Sequence, residues 1–205
     1  MTNAIRVKEY GLDVIYRHDY GANQNAGNIQ KYVQQSCRHL EKFLANVPGA
    51  NEYSNLLDIG CGNTQVLDYF ERDDSAFKLT CRGIDLYPQQ EDPRIIVGNF
   101  YDLPGAGIQQ TDVVVINHTL EHALAPLLLE QVRTIHKIGG VLFVAVPDAD
   151  FPWAYDITSS TTHWSIFNEG FLRVLLQRYG YEVCVEKKCF REGCGELFAY
   201  AIRRW

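Results

Sequence analysis

The stretch Leu56-Leu57-Asp58-Ile59-Gly60-Cys61-Gly62-Asn63-Thr64 joins an apolar run to two glycines that lie one residue apart. The apolar run predicts a buried strand, and the residues after it predict a turn into a helix. Because glycine has no Cβ, a ligand can approach the backbone of such a turn closely. The amides at the start of the following helix are then free to bind it. The stretch therefore predicts a strand, a ligand-binding turn and a helix.

Apolar strands alternate with helical patterns on the carboxyl side of this unit, which is typical of a parallel sheet covered on both faces. We predict an α/β fold, a doubly wound three-layer sandwich whose seven-stranded sheet is mostly parallel and has an antiparallel terminal strand. The predicted strands cover residues 55–59, 79–86, 94–97, 112–117, 141–146, 181–186 and 197–202, and the predicted helices cover 25–46, 64–72, 124–136 and 169–179, with Gly139 and Gly140 closing the third helix.

Length and charge limit the possible functions. The chain has 205 residues, which predicts a single domain over 1–205, with an N-terminal arm and helix over 1–46. Its formal net charge is −6, which argues against nucleic acid as a partner.

No apolar run is long enough to span a membrane, and the first residues lack the apolar core of a signal peptide. We expect a cytoplasmic protein whose six cysteines are reduced.

A carboxylate follows the second predicted strand. Asp85 stands 25 residues after Gly60, where an acid can accept both ribose hydroxyls of a nucleoside. A dinucleotide fingerprint would need a third glycine at the position of Gln65. The pattern therefore favours a nucleoside cofactor and disfavours an NAD-linked oxidoreductase.

These residues, taken in order, resemble the motifs of the class I S-adenosylmethionine-dependent methyltransferases, in the small-molecule branch with a type 11/23-like domain. The resemblance covers about residues 55–205 and implies a Rossmann-like fold, S-adenosylmethionine as cofactor and S-adenosylhomocysteine as product. It further implies methyl transfer to a small-molecule acceptor by in-line displacement. The matching segments are 57–62 for the glycine motif, 83–86 for the ribose acid, 97–104 for the adenine segment, 112–122 for the fourth strand, and 163–172 for the region after strand five.

The resemblance implies a role for each matching residue. The loop of Gly60, Cys61 and Gly62 would pass under the methionine part of the cofactor, and Asp58 would orient that loop. The remaining expected contacts are Asp85 with the ribose, Leu86, Asn99 and Phe100 with the adenine, and Asn117 and His118 with the sulfonium end.

Residues 148–168 form an irregular stretch rich in aromatic side chains, which we interpret as a substrate cap. A hydroxyl acceptor would need a base within reach. The candidates are His118 and His163, with Asp148 and Tyr155 as alternatives. The sequence does not choose among oxygen, nitrogen, sulfur and carbon acceptors, and it leaves the oligomeric state open.

Two patterns suggest a metal. His118, Glu121 and His122 fit H-x-x-E-H, but that chemistry needs both histidines on one helix face, and His118 directly follows a strand. We therefore expect His122 to be a buried structural residue. Cys184 and Cys189 are an odd number of residues apart, so a continuous strand would turn them to opposite faces. We expect no metal site.

Two other functions remain open. One is a methyltransferase that acts on protein or RNA, and the other is a methyltransferase-like partner subunit without activity. Turnover would separate an enzyme from a non-catalytic subunit, and a basic rim beside the pocket would favour RNA.

Overall fold

The computed structural model describes residues 26–151, 163–191 and 194–205. The N-terminal arm and the 152–162 part of the predicted cap, with Tyr155, lie outside these ranges. The described elements are α1 (Ala26–Leu44), β1 (Asn55–Ile59), α2 (Gln65–Glu71), β2 (Thr80–Asp85), β3 (Ile95–Val97), β4 (Thr111–Asn117), α3 (Ala125–Ile135), β5 (His136–Pro147), α4 (Glu169–Arg178), β6 (Tyr181–Arg191) and β7 (Cys194–Arg203), with 3-10 helices at Ala50–Glu52 and Leu120–His122.

The seven strands form one sheet in the order β3-β2-β1-β4-β5-β7-β6. Strands β1 to β5 pair in parallel, and β7 pairs antiparallel with both of its neighbours. The predicted fold class is therefore confirmed. Since β1 is flanked by β2 on one side and β4 on the other, the direction of the winding reverses there. Ligands of such sheets bind at the carboxyl ends of the strands beside this point.

Both faces of the sheet are buried. On β1, Leu57 and Ile59 pack with α3 and α4, while Leu56 packs with α1 and α2. On β4, Val114 and Val115 divide between the same two cores. The continuous apolar runs follow from this arrangement, because each strand must cover two helical layers.

The start of β5 differs from the prediction. Gly139 and Gly140 do not close a helix: α3 ends at Ile135, and the strand begins at His136. The His136 ring is buried and lies 2.9 Å from the Tyr181 hydroxyl and 3.3 Å from the Asp112 carbonyl oxygen. These contacts hold His136 in the sheet, so the glycines form an irregularity inside β5, where Gly139 has a φ of 81°.

The helix α1 has the expected amphipathic pattern, with Cys37, Leu40 and Leu44 buried against the sheet. Within the described ranges, no helix is both long and apolar enough to cross a membrane.

Candidate functional site

The turn after β1 depends on its glycines. Gly60 has a φ of 71° and Gly62 a φ of 57°, in the left-handed region that side chains disfavour. A Cβ at Gly60 would collide with the side chain of Thr119, whose hydroxyl lies 3.3 Å from the Gly60 carbonyl oxygen. The close approach of the segment after β4 therefore requires glycine at this position.

Asp85 connects three segments at the carboxyl edge of the sheet. Its Oδ2 accepts a hydrogen bond from the Gly62 amide at 2.8 Å, and its Oδ1 accepts one from the Tyr87 amide at 2.7 Å. Its carbonyl oxygen accepts the Gly98 amide at 2.9 Å. The two carboxylate oxygens keep lone pairs for further donors, as a ribose diol would require.

Asp58 lies on β1 just before the glycine turn, and Cys61 lies within the turn. Asp58 is buried, and its burial, together with the nearby charge of Asp85, raises its pKa to about 8. The Cys61 sulfur packs on Gly83 of β2, where a Cβ would collide with it. Burial, with the charge of Asp58, raises the pKa of the Cys61 thiol, so Cys61 acts here as a packing residue.

The predicted adenine contacts are half-buried beside Asp85. The side-chain oxygen of Asn99 accepts a hydrogen bond from the Tyr101 amide at 2.9 Å, a bond that does not use the NH₂ group of Asn99. The Phe100 ring packs edge-on against the Tyr101 ring, with 4.9 Å between the ring centres. We call Gly60, Cys61, Gly62, Asp85, Leu86, residues 98–100 and Asn117 the cofactor cradle. A groove lined by Pro88, Pro93 and Val97 opens at the β3 edge, beside the cradle.

The end of β4 joins the cradle to a second group of polar residues. The Oδ1 atom of Asn117 is buried and has no hydrogen-bond partner among the described residues. His118 follows with a φ of 52°, rare for a residue with a side chain, and its amide donates to the Ala145 carbonyl oxygen at 2.9 Å. The chain thus bends sharply where the sulfonium end of the cofactor was predicted.

His118 lies between two carboxylates. Its Nδ1 is 3.3 Å from Glu121 Oε1, and its Nε2 is 3.4 Å from Glu196 Oε1. Burial acts to lower the pKa of His118, but the charges of Glu196 and Glu121 outweigh it and hold the pKa well above its usual value. The sequence analysis missed Glu196, which lies opposite Pro147 in the β5–β7 register. Only a known register would have placed it here.

His163 reaches the same place from the segment before α4. The amides of Trp164 and Ser165 donate to the Glu121 carbonyl oxygen at 2.7 and 3.1 Å. The His163 ring packs edge-on against the His122 ring, with 4.5 Å between the centres. Burial, with the charge of His122, lowers the pKa of His163. The structure therefore brings both predicted catalytic histidines to Glu121. We call His118, Glu121, His122, His163 and Glu196 the acceptor cluster.

The alternative base Asp148 is engaged elsewhere. Its side chain is buried, its Oδ1 accepts the Asp150 amide at 3.0 Å, and its Oδ2 lies 3.3 Å from the Lys187 ammonium. The amide of Asp148 donates to the Gly195 carbonyl oxygen, which fixes the end of β5 against β7. These contacts give Asp148 a structural task.

Comparison with known proteins identifies the family. The family model described as a methyltransferase domain matches residues 29–186. The chain belongs to the methyltransferase-domain family. No curated protein matches the sequence of this methyltransferase.

Many solved structures have a similar fold, and three of them illustrate the range of this likeness. A Burkholderia thailandensis 1,6-didemethyltoxoflavin N1-methyltransferase with bound S-adenosylhomocysteine has 13% identity and a TM-score of 0.71, covering 100% of this chain and 92% of that one. The CMeT domain of the citrinin polyketide synthase has 16% identity and a TM-score of 0.62, with 84% of this chain covered. The small RNA methyltransferase HEN1 has 18% identity and a TM-score of 0.58, with 82% of this chain covered.

This methyltransferase spans 52% of the citrinin synthase chain and 25% of the HEN1 chain. The family match and the observed sheet confirm the class I S-adenosylmethionine-dependent methyltransferase recognised in the sequence. The cofactor of this class is S-adenosylmethionine, as predicted.

Proposed function

We propose that this methyltransferase transfers the methyl group of S-adenosylmethionine to a small-molecule acceptor. The observation that carries the proposal is Asp85, which holds the glycine turn and the segment after β3 while keeping lone pairs for a ribose. The charge balance of the chain, −6, supports an acceptor other than a nucleic acid, and a cytoplasmic location is part of the same proposal.

The cradle residues keep the roles expected from the resemblance. Asp85 would accept the ribose hydroxyls, and Leu86 would pack on the adenine. The backbone amide of Phe100 would bind the ring, and the side-chain oxygen of Asn99 would accept the adenine amino group with the lone pair that Tyr101 leaves. The backbone of Gly60, Cys61 and Gly62 would lie under the methionine part. Asp58 is proposed to respond to the positive charges of the cofactor through its buried carboxyl group. Asn117 would face the sulfonium end, where its buried oxygen has no donor among the described residues.

His118 and His163 are the proposed acceptor-side residues, with different tasks. Both ring nitrogens of His118 face carboxylates, so each is occupied as a hydrogen-bond donor. His118 would therefore hold the carboxylates of Glu121 and Glu196 in place beside the acceptor, because neither of its nitrogens is left to take a proton or to bind the acceptor. His163 would place a second imidazole beside the acceptor. Its position is held by the amides of Trp164 and Ser165, which donate to the Glu121 carbonyl oxygen.

Methyl transfer makes modest demands on such a site. The acceptor attacks the methyl carbon in line as the carbon–sulfur bond breaks, giving S-adenosylhomocysteine and a methylated product. Alignment alone can contribute up to about 7–11 kcal/mol in favourable cases. The main task of the acceptor cluster is therefore to orient the acceptor and to exclude other groups.

A protein or RNA acceptor is the second candidate function, since HEN1 has a similar fold. To separate the two, the methyltransferase would be incubated with methyl-labelled S-adenosylmethionine and a cell extract that has been divided by ultrafiltration. We expect label in the small-molecule fraction. Label confined to precipitated protein or RNA would contradict the proposal, and cofactor binding without any transfer would point to a non-catalytic subunit.

A further inference from the structure

Three side chains of the acceptor cluster meet in a way that the sequence did not predict. Glu121 and His122 come from the 3-10 helix after β4, and His163 comes from the segment before α4. One potential ligand atom from each of the three lies within 4.8 Å of the other two. The 3-10 helix has only three residues, so it does not place His118 and His122 on one helix face, as expected, but His163 brings a second imidazole from a distant segment.

The spacing is close to that of a metal site. Bonds of about 2.0–2.2 Å from a cation to nitrogen and oxygen place tetrahedral ligand atoms about 3.4 Å apart. From distances of up to 4.8 Å, the ligand atoms would have to approach one another by up to about 1.4 Å. His163 is half-buried, and side-chain rotation can bring its ring closer. Glu121 and His122 are buried, and His122 Nε2 already lies 3.9 Å from Glu121 Oε1, so this pair needs only a small adjustment.

A second observation points to a missing ligand. The side chain of Glu121 is 3% exposed, and its Oε2 has no hydrogen-bond partner among the described residues. A buried carboxylate oxygen without a donor is costly, and buried charges are normally paired or coordinate a metal. His118 contacts only the other oxygen, Oε1. The carboxylate therefore has the capacity for one more strong contact.

The donor set indicates the class of ion. Two imidazoles and one carboxylate suit first-row divalent cations, whereas Mg²⁺ and Ca²⁺ prefer oxygen ligands alone. Three protein ligands also leave coordination positions open, as in catalytic rather than structural sites.

We propose that Glu121, His122 and His163 form a binding site for one first-row divalent cation, of the Zn²⁺ or Mn²⁺ type, on the acceptor side of the cofactor cradle. Its consequence for catalysis rests on the proposed function. An acceptor hydroxyl bound at an open position would lose its proton to water more easily. The oxygen would then form its bond to the methyl carbon as the carbon–sulfur bond of S-adenosylmethionine breaks. The class of acceptor is therefore an alcohol or phenol.

Cobalt is the probe, because Co²⁺ in such a site absorbs visible light. The full chain, without a histidine tag and stripped with a chelator, would be titrated with Co²⁺. We expect a visible band that saturates at one Co²⁺ per chain and is lost on addition of Zn²⁺. In His163→Ala we expect the affinity for Co²⁺ to fall at least tenfold. His39→Ala is the matched control, since His39 lies on α1 and packs on Phe198 in the other core, and its affinity should equal that of the wild type.

Thermal unfolding gives a readout independent of activity. Zn²⁺ should raise the midpoint temperature of unfolding of the stripped wild type and of His39→Ala, but not that of His163→Ala. Without metal, His163→Ala should have the same midpoint temperature as the wild type. The proposal is wrong if no Co²⁺ band forms, or if His163→Ala binds Co²⁺ as tightly as the wild type. Calorimetry with S-adenosylmethionine on the same stripped protein tests the proposed function separately, because cofactor binding does not require the cation.

Discussion

The cofactor cradle and the acceptor cluster lie at the same edge of the sheet but are built differently. The cradle is formed by short turns: Asp85 accepts hydrogen bonds from the amides of Gly62 and Tyr87, and glycines with positive φ angles shape the loop. In the acceptor cluster, distant segments meet, since His118 contacts Glu196 on β7 and Glu121 binds the backbone at Trp164. A site built from short turns leaves a motif in the sequence, because its residues are close together along the chain. A site built from distant segments leaves no such motif.

The largest expected effect comes from removing Asp85, which carries the cradle. In Asp85→Ala the ribose would lose two hydrogen bonds to a charged group, each contributing about 1.5–3 kcal/mol. We expect the affinity for S-adenosylmethionine, measured by calorimetry, to fall at least 100-fold, which is about 2.7 kcal/mol.

Asp74→Ala is the matched control for that variant, because Asp74 is an exposed carboxylate paired with Arg72 at 2.8 Å. It should bind the cofactor like the wild type. An Asp85→Ala chain that keeps its affinity would mean that the ribose lies elsewhere.

The second prediction concerns the junction between the two regions. In Gly60→Ala the new methyl group meets both the strain of a positive φ and the side chain of Thr119. Gly49→Ala meets the strain alone, since nothing lies within 4 Å of its Cβ position. We expect Gly60→Ala to lose about 2 kcal/mol more free energy of unfolding in urea than Gly49→Ala. Equal losses would show that Thr119 moves aside freely.

The same residues mark what a sequence can and cannot indicate. Gly60, Gly62 and Asp85 were predicted because their chemistry depends on residue type within a few positions. Glu196 was missed because its place depends on the β5–β7 register, and Gly139 was misplaced because the buried His136 holds that segment in the sheet. The expectation of no metal site weighed His118 and His122 along the chain, and the proposed cation site adds His163 from a distant segment.

The third prediction separates the two regions by function. His163→Ala should change the affinity for S-adenosylmethionine by less than twofold, because the ring of His163 packs against His122 of the acceptor cluster and His163 is not part of the cofactor cradle. Its turnover should fall at least tenfold. Calorimetry and a methyl-transfer assay measure the two effects, with His39→Ala as the control. A large loss of cofactor affinity in His163→Ala would contradict the division into two regions.

The smallest expected effect is a proton linked to cofactor binding. The pKa of Asp58 is raised to about 8 by burial and by Asp85, so in the free protein most of this carboxyl group is protonated at pH 7. The positive charges of S-adenosylmethionine favour the carboxylate and lower that pKa, so binding should release part of one proton. The affinity should accordingly rise between about pH 6 and 8.

Calorimetry at pH 7 in two buffers with different ionisation enthalpies measures this release. Asp58→Asn should show none. A binding heat that is the same in both buffers for the wild type would rule out the linkage.

The most direct test of the central claim is a crystal structure of the chain with S-adenosylhomocysteine. We predict that both ribose hydroxyls lie within hydrogen-bond distance of Asp85, with the homocysteine end over Gly60 and Gly62 and the sulfur near Asn117. A nucleoside bound away from Asp85, for example in the groove beside Pro88 and Val97, would contradict the account.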